Sequence, residues 1–287
     1  MLPLIVTILC AIAAAVLRGF QLASSFDPAT MLIAAGDPLT IGLMALCVFF
    51  LIGVAVYAIF AAKLKKQAEP PKPFGSIYQF VEMAAAICLA SASTVDFYIG
   101  FREVRVSMIC LGVLGLLASV SILLTGLTAN RLKHNTATGF WFTLPVYWCC
   151  FLLFTDFVGY AGNHVRNAYM YGMLASVFCI LALGAAASLF FGGAKRGRMF
   201  FYTLAALFFA CLTLGGSLLA RLVLSPEILP DAAFIPISGM LKYTFIALHA
   251  AALSFAVQNG WLTPSVKPES PEEPEQIEGS IEGGEME

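Results

Sequence analysis

Charge is what this sequence has least of. Only 11% of its 287 residues are Asp, Glu, Lys or Arg, and only three are histidine. Soluble domains carry about 25% charged residues. A surface facing water cannot be covered with so few, so a soluble enzyme or binding module is excluded. No Gly-x-x-x-x-Gly-Lys-[Ser/Thr] loop occurs, which removes a phosphate cradle and intrinsic ATP drive. No Cys-x-x-Cys pair occurs, so zinc ribbons and dithiol motifs are absent from the pattern. Bis-histidine haem needs two histidines at matched depth, and only His249 falls mid-span. No cofactor, metal or catalytic constellation is expected.

What is present is apolar: 60% of the residues are hydrophobic. A membrane-spanning helix needs about 20 such residues in a row. Eight stretches qualify: 2–23, 39–62, 76–99, 106–128, 138–159, 168–191, 199–223 and 238–257. Phe101-Arg102-Glu103-Val104-Arg105 holds three charges that lipid would not tolerate, so a tight turn is expected there. The expected fold is all-α, an integral membrane bundle of eight transmembrane helices over 1–257. Residues 258–287 are expected to form a disordered acidic cytoplasmic tail, being rich in Pro, Glu and Gly. Met1 to Ala15 has no basic residue, so the first span reads as retained and not as a signal peptide.

The formal net charge of -1 hides an asymmetry. Residues 258–287 hold eight acids and one base, while the body holds 15 bases and 9 acids. The bases lie in short loops between apolar runs, which fits a membrane better than nucleic acid. With the N-terminus in the cytoplasm, the inner loops carry nine Lys or Arg and the outer loops three. That bias predicts both termini inside. The acidic tail would suit a basic protein partner.

An ionisable residue within a span is costly and marks a candidate site. Span three carries Glu82 and Asp96, and at about 100° per residue the two share a face with Gln79 and Ser93. Span eight carries Lys242 and His249 on nearly one face. These spans run antiparallel, so Asp96 is expected with Lys242 and Glu82 with His249. The rises differ, however: about 21 Å separates the acids and about 10 Å the bases. Both pairs are therefore not expected to be tight without water, tilt or a reaching lysine. The four residues form a candidate polar path.

Thr94-Val95-Asp96-Phe97 ends span three and Thr155-Asp156-Phe157 ends span five, so spans 3–4 and 5–6 read as repeated hairpins. Arg18, Asp156, Arg166 and Arg221 fall near outer span ends and form a candidate outer binding cluster. All eight cysteines fall within spans and read as small apolar packing residues. Pro145 lies inside span five and is expected to kink it.

Two protease resemblances are incomplete. Gly215-Gly216-Ser217 is similar to the rhomboid nucleophile motif, but Leu218 breaks it. Phe245-x-x-x-His249 resembles one motif of the CPBP intramembrane proteases, whose Glu-Glu-x-x-x-Arg motif is missing. Leu17-Arg18, Gln21-Leu22, Phe26-Asp27 and Gly36-Asp37-Pro38 resemble the start of polytopic membrane proteins of anaerobic Gram-positive bacteria. That resemblance covers the first hairpin, implies a bacterial cytoplasmic membrane and brings no activity. Three function classes follow: a carrier of a small solute or ion, a non-catalytic sensor, scaffold or assembly factor acting through its tail, and, third, an intramembrane enzyme.

Overall fold

A computed structural model describes residues 2–25, 36–64, 76–128, 136–160, 166–190, 196–223 and 235–259. The described residues form eight α-helices and no strand. They are α1 (Leu2–Ser24), α2 (Pro38–Leu64), α3 (Ser76–Arg102), α4 (Val106–Thr128), α5 (Thr136–Tyr160), α6 (Arg166–Phe190), α7 (Arg196–Val223) and α8 (Ile237–Gln258). Each is long and apolar enough to cross a membrane. The chain is thus a multi-pass membrane protein. Apart from Gln258 and Asn259, the expected tail lies outside the described residues, as do most of the basic loops.

Local chemistry sets the helix ends. Asp37 caps α2: its Oδ2 accepts from the Thr40 backbone N–H at 2.8 Å and the Thr40 hydroxyl at 2.7 Å. Pro38 follows at the first helical position, where its missing N–H is no loss. The Thr40 bonds and one from Ser25 at 2.7 Å hold the Asp37 carboxyl below its usual 3.8. The α3–α4 turn occupies 103–105, as expected, although α3 runs to Arg102. Arg105 N–H bonds to the Gly100 carbonyl at 2.8 Å, and Val104 between them has φ 55°. This is a Schellman closure with valine at the position glycine usually takes. α5 is helical through Pro145.

The helices are not equally buried. Inside the bundle, 72% of the α7 span and 61% of α8 are covered, against 28% of α2. α7 packs on α1, α2, α6 and α8, while α3 lies between α4 and α8. Phe49, Phe60 and Ile52 of α2 are exposed, as a lipid-facing helix requires. Small residues allow the closest contacts. A methyl at Gly215 of α7 would lie 2.6 Å from Ala15 Cβ of α1, and one at Gly112 of α4 would lie 2.8 Å from the Phe97 backbone N of α3.

Candidate functional site

The buried face of α3 is a repeating stripe: Tyr78, Glu82, Ala85, Ala86, Leu89, Ala92, Ser93, Asp96 and Gly100. Its alanines bring α8 close, and its acids are buried against that helix. Glu82 Oε2 lies 2.8 Å from His249 Nδ1, with side chains 0% and 1% exposed. Asp96 Oδ2 lies 2.7 Å from Lys242 Nζ, at 1% and 9% exposed. Asp96 Oδ2 is thus ion-paired with Lys242, while Asp96 Oδ1 lacks a hydrogen-bond partner.

Both pairs are tight at once, which the difference in helical rise argued against. Side chains on a helix lean toward its N-terminus. On antiparallel helices Lys242 and Asp96 therefore lean toward each other. The flexible lysine stem covers a distance that a histidine could not, so the reaching lysine is the condition that applies.

Between the pairs, the seam is aromatic. The Phe245 ring stacks on His249 at 5.6 Å and meets Trp148 of α5 edge-on at 5.4 Å. Trp148 Nε1 points toward α4, where a methyl at Gly115 would lie 2.8 Å from it and would collide with Ser93 Oγ. The phenol of Tyr78, one turn before Glu82, donates to that carboxylate.

The expected outer cluster takes a different form. Asp156, half-buried, lies within electrostatic reach of Lys242 and Asp96. It joins the α3–α8 seam, where one lysine faces two acids drawn from the two similar Asp-Phe sequences. Arg18 is buried and sits over the Tyr171 ring at 5.3 Å. It donates to Gln21, which donates to Thr40, which donates to Asp37. Arg221 donates to the Ile235 carbonyl at 2.7 Å, bracing the entry to α8. The Arg166 side chain lies outside the described residues.

Reading the cysteines as packing residues missed one contact. Cys149 of α5 and Cys179 of α6 are both buried, with sulfurs 3.8 Å apart. Cys179 also lies within electrostatic reach of His249 and Glu82. The available signal was depth: Cys149 is 13 residues from the start of α5 and Cys179 is 11 from the end of α6. Among the described residues no three His, Cys, Asp or Glu side chains gather as metal ligands. A separate apolar crevice of about 400 Å³ lies between α1, α2 and α7, lined by Val6, Phe49, Phe50, Val54, Tyr57 and Leu204.

Comparison with protein-family models, with curated proteins and with solved structures gives no match to this chain.

Proposed function

We propose that this chain is a carrier of a small solute or ion in the bacterial cytoplasmic membrane, with both termini cytoplasmic. The observation that supports it is the burial of two ionic pairs, Glu82–His249 and Asp96–Lys242, at one interface of a membrane bundle. Replacing a buried ion pair by apolar residues of similar volume is often neutral or stabilising. Packing alone does not call for two of them here. Charged pairs within a span are the usual machinery of ion and proton pathways. In this reading the buried seam is the occluded state. It opens when the pairs separate, and Asp156 and Lys242 stand at its outer end.

The test is electrical. Full-length protein in liposomes is adsorbed on a solid-supported membrane and challenged with amino acids, organic acids, sugars and monovalent cations. At least one of these produces a current, and Glu82→Gln and Asp96→Asn each abolish it while remaining folded. If wild type and both variants give identical traces for every solute, the carrier is wrong.

The second reading is a membrane sensor or scaffold that binds a basic partner through its acidic tail. The apolar crevice favours it, since its lining includes none of the four charged residues. Removing 260–287 would then abolish partner binding, and Glu82→Gln would leave it intact.

A further inference from the structure

The residues around the seam leave polar atoms unmatched inside the bundle. Asp96 Oδ1, Trp148 Nε1, Ser176 Oγ and His249 Nε2 are buried and have no hydrogen-bond partner in the protein. They come from α3, α5, α6 and α8, the helices that surround the seam. More than 90% of buried polar groups are paired, and a cluster of exceptions calls for a ligand. The chemistry of the set selects which ligand. An indole N–H only donates, and a carboxylate only accepts. A metal cation would satisfy the acceptors alone and would be repelled by the Lys242 ammonium and the Trp148 N–H. Water donates and accepts, and buried waters typically make about three such bonds.

We infer that the α3–α8 seam binds internal water, and that protons, not metal cations, are what its charged pairs exchange. The first half stands on the unmatched atoms, and the second rests on the carrier reading. Two places are defined. At one, Trp148 Nε1 and Ser93 Oγ converge on the bare Cα of Gly115. Ser93 is one turn from Asp96, so a water there accepts from Trp148 and donates to the Asp96 carboxylate. The charged groups facing it are Asp96, Lys242 and Asp156. At the other, Ser176 is one turn from Cys179, which neighbours His249 and Glu82. The titratable groups facing it are Glu82, His249, Cys179 and Tyr78.

X-ray hydroxyl-radical footprinting of the full-length protein in nanodiscs tests the water directly, because radicals form from bound water and oxidise the side chains beside it. Trp148 is 1% exposed, Phe208 is 0% exposed in an apolar stack, and Trp141 is 37% exposed. Trp148 is expected to be oxidised at a rate within threefold of Trp141, with Phe208 inert. A Trp148 as inert as Phe208 overturns the assignment. Gly115→Ala puts a Cβ in collision with Ser93 Oγ and 2.8 Å from Trp148 Nε1, so Ser93 is pushed aside into the water's place and Trp148 oxidation falls at least tenfold. Should that variant fail to fold, Ser93→Val places methyls in the same space, and unchanged labelling in a folded variant overturns the placement. In pyranine-loaded liposomes with potassium and valinomycin, a pH gradient alone is expected to drive flux several-fold above empty vesicles. A flux that requires a sodium gradient overturns the proton half. Unlabelled Trp148 with solute currents intact removes the water and leaves the carrier. Labelled Trp148 without any current supports the water and removes the carrier.

Discussion

His249 and Glu82 stand 167 positions apart in the chain and 2.8 Å apart in the bundle, with Nδ1 of the imidazole facing one carboxylate oxygen. Neither side chain is more than 1% exposed. Buried together, the two groups depend on each other. The state of the pair is set by their contact and by the neighbours Phe245, Tyr78 and Cys179.

Removing one member should therefore harm stability more than removing both. Glu82→Leu or His249→Phe alone leaves a buried polar group unmatched, at a cost of about 3–5 kcal/mol. The double variant replaces the pair with apolar bulk and is expected to be neutral or more stable by about 1–4 kcal/mol. Thermal melting of the purified protein in detergent measures all three. A double variant that loses the sum of the two single losses would show that the partners act independently.

Asp96 and Lys242 give a different expectation because a third group is present. Exchanging them as Asp96→Lys with Lys242→Asp keeps one pair but places two carboxylates, at 242 and 156, near one another. The exchange should recover folding relative to either single reversal yet remain below wild type. Adding Asp156→Asn should raise it further. Melting temperatures of wild type and the four variants check the order, and an exchange equal to wild type would show that Asp156 does not sense position 242.

The membrane bundle was legible because hydropathy is a local property, and spans of about 20 residues announce themselves. The α3–α8 seam was legible because a charge within a span is rare and helical spacing tells which charges share a face. The simultaneous fit of both pairs was not, since it depends on how far a lysine stem leans along its helix. The Cys149–Cys179 contact and the move of Asp156 away from Arg18 were hidden for another reason. They follow from which helices are neighbours, and that order is a tertiary property carried by small-residue contacts such as Gly112 on Phe97.

The cap at Asp37 predicts a sign of pH dependence. Its carboxyl is held below 3.8, first by the Thr40 hydroxyl and further by Ser25 and backbone bonds. A lowered carboxyl favours the folded state above its ordinary value and loses that contribution as pH falls through the folded one. The melting-temperature gap between wild type and Asp37→Ala should stay constant from neutral pH down to about 5 and close below 3.8. A gap that widened on acidification would contradict the bonding seen at Thr40.

Val104 offers a gain. Its φ of 55° puts a β-branched residue in the left-handed region, which costs about 1–2 kcal/mol outside glycine. Val104→Gly removes that strain and gives back part of it as chain entropy, for a net gain of about 1 kcal/mol. Melting should rise by about 2–4 °C. Glu103→Gly, one residue earlier at negative φ, is the control and should lower it. Val104 is 82% exposed, so no packing term obscures the comparison.

The contact between α1 and α7 can be tested by the atom it lacks. A Cβ at Gly215 would sit 2.6 Å from Ala15 Cβ, and one at Gly216 would sit 2.5 Å from Arg18 Cγ. Gly215→Val therefore forces the helices apart, and overpacking of this kind costs about 1–3 kcal/mol. Ala15→Gly removes the methyl that Gly215→Val strikes and should restore most of the loss, while Ala11→Gly, one turn earlier and also buried, should not. The separation would also draw Arg18 off the Tyr171 ring and away from Gln21, since both contacts depend on where α1 lies. In Gly215→Val the α1–α2 end should thus lose its response to Asp37→Ala, because the chain Arg18–Gln21–Thr40–Asp37 is broken at its first link. Melting of the single and double variants measures that coupling, and strictly additive losses would mean that the relay from Arg18 to Asp37 carries no energy.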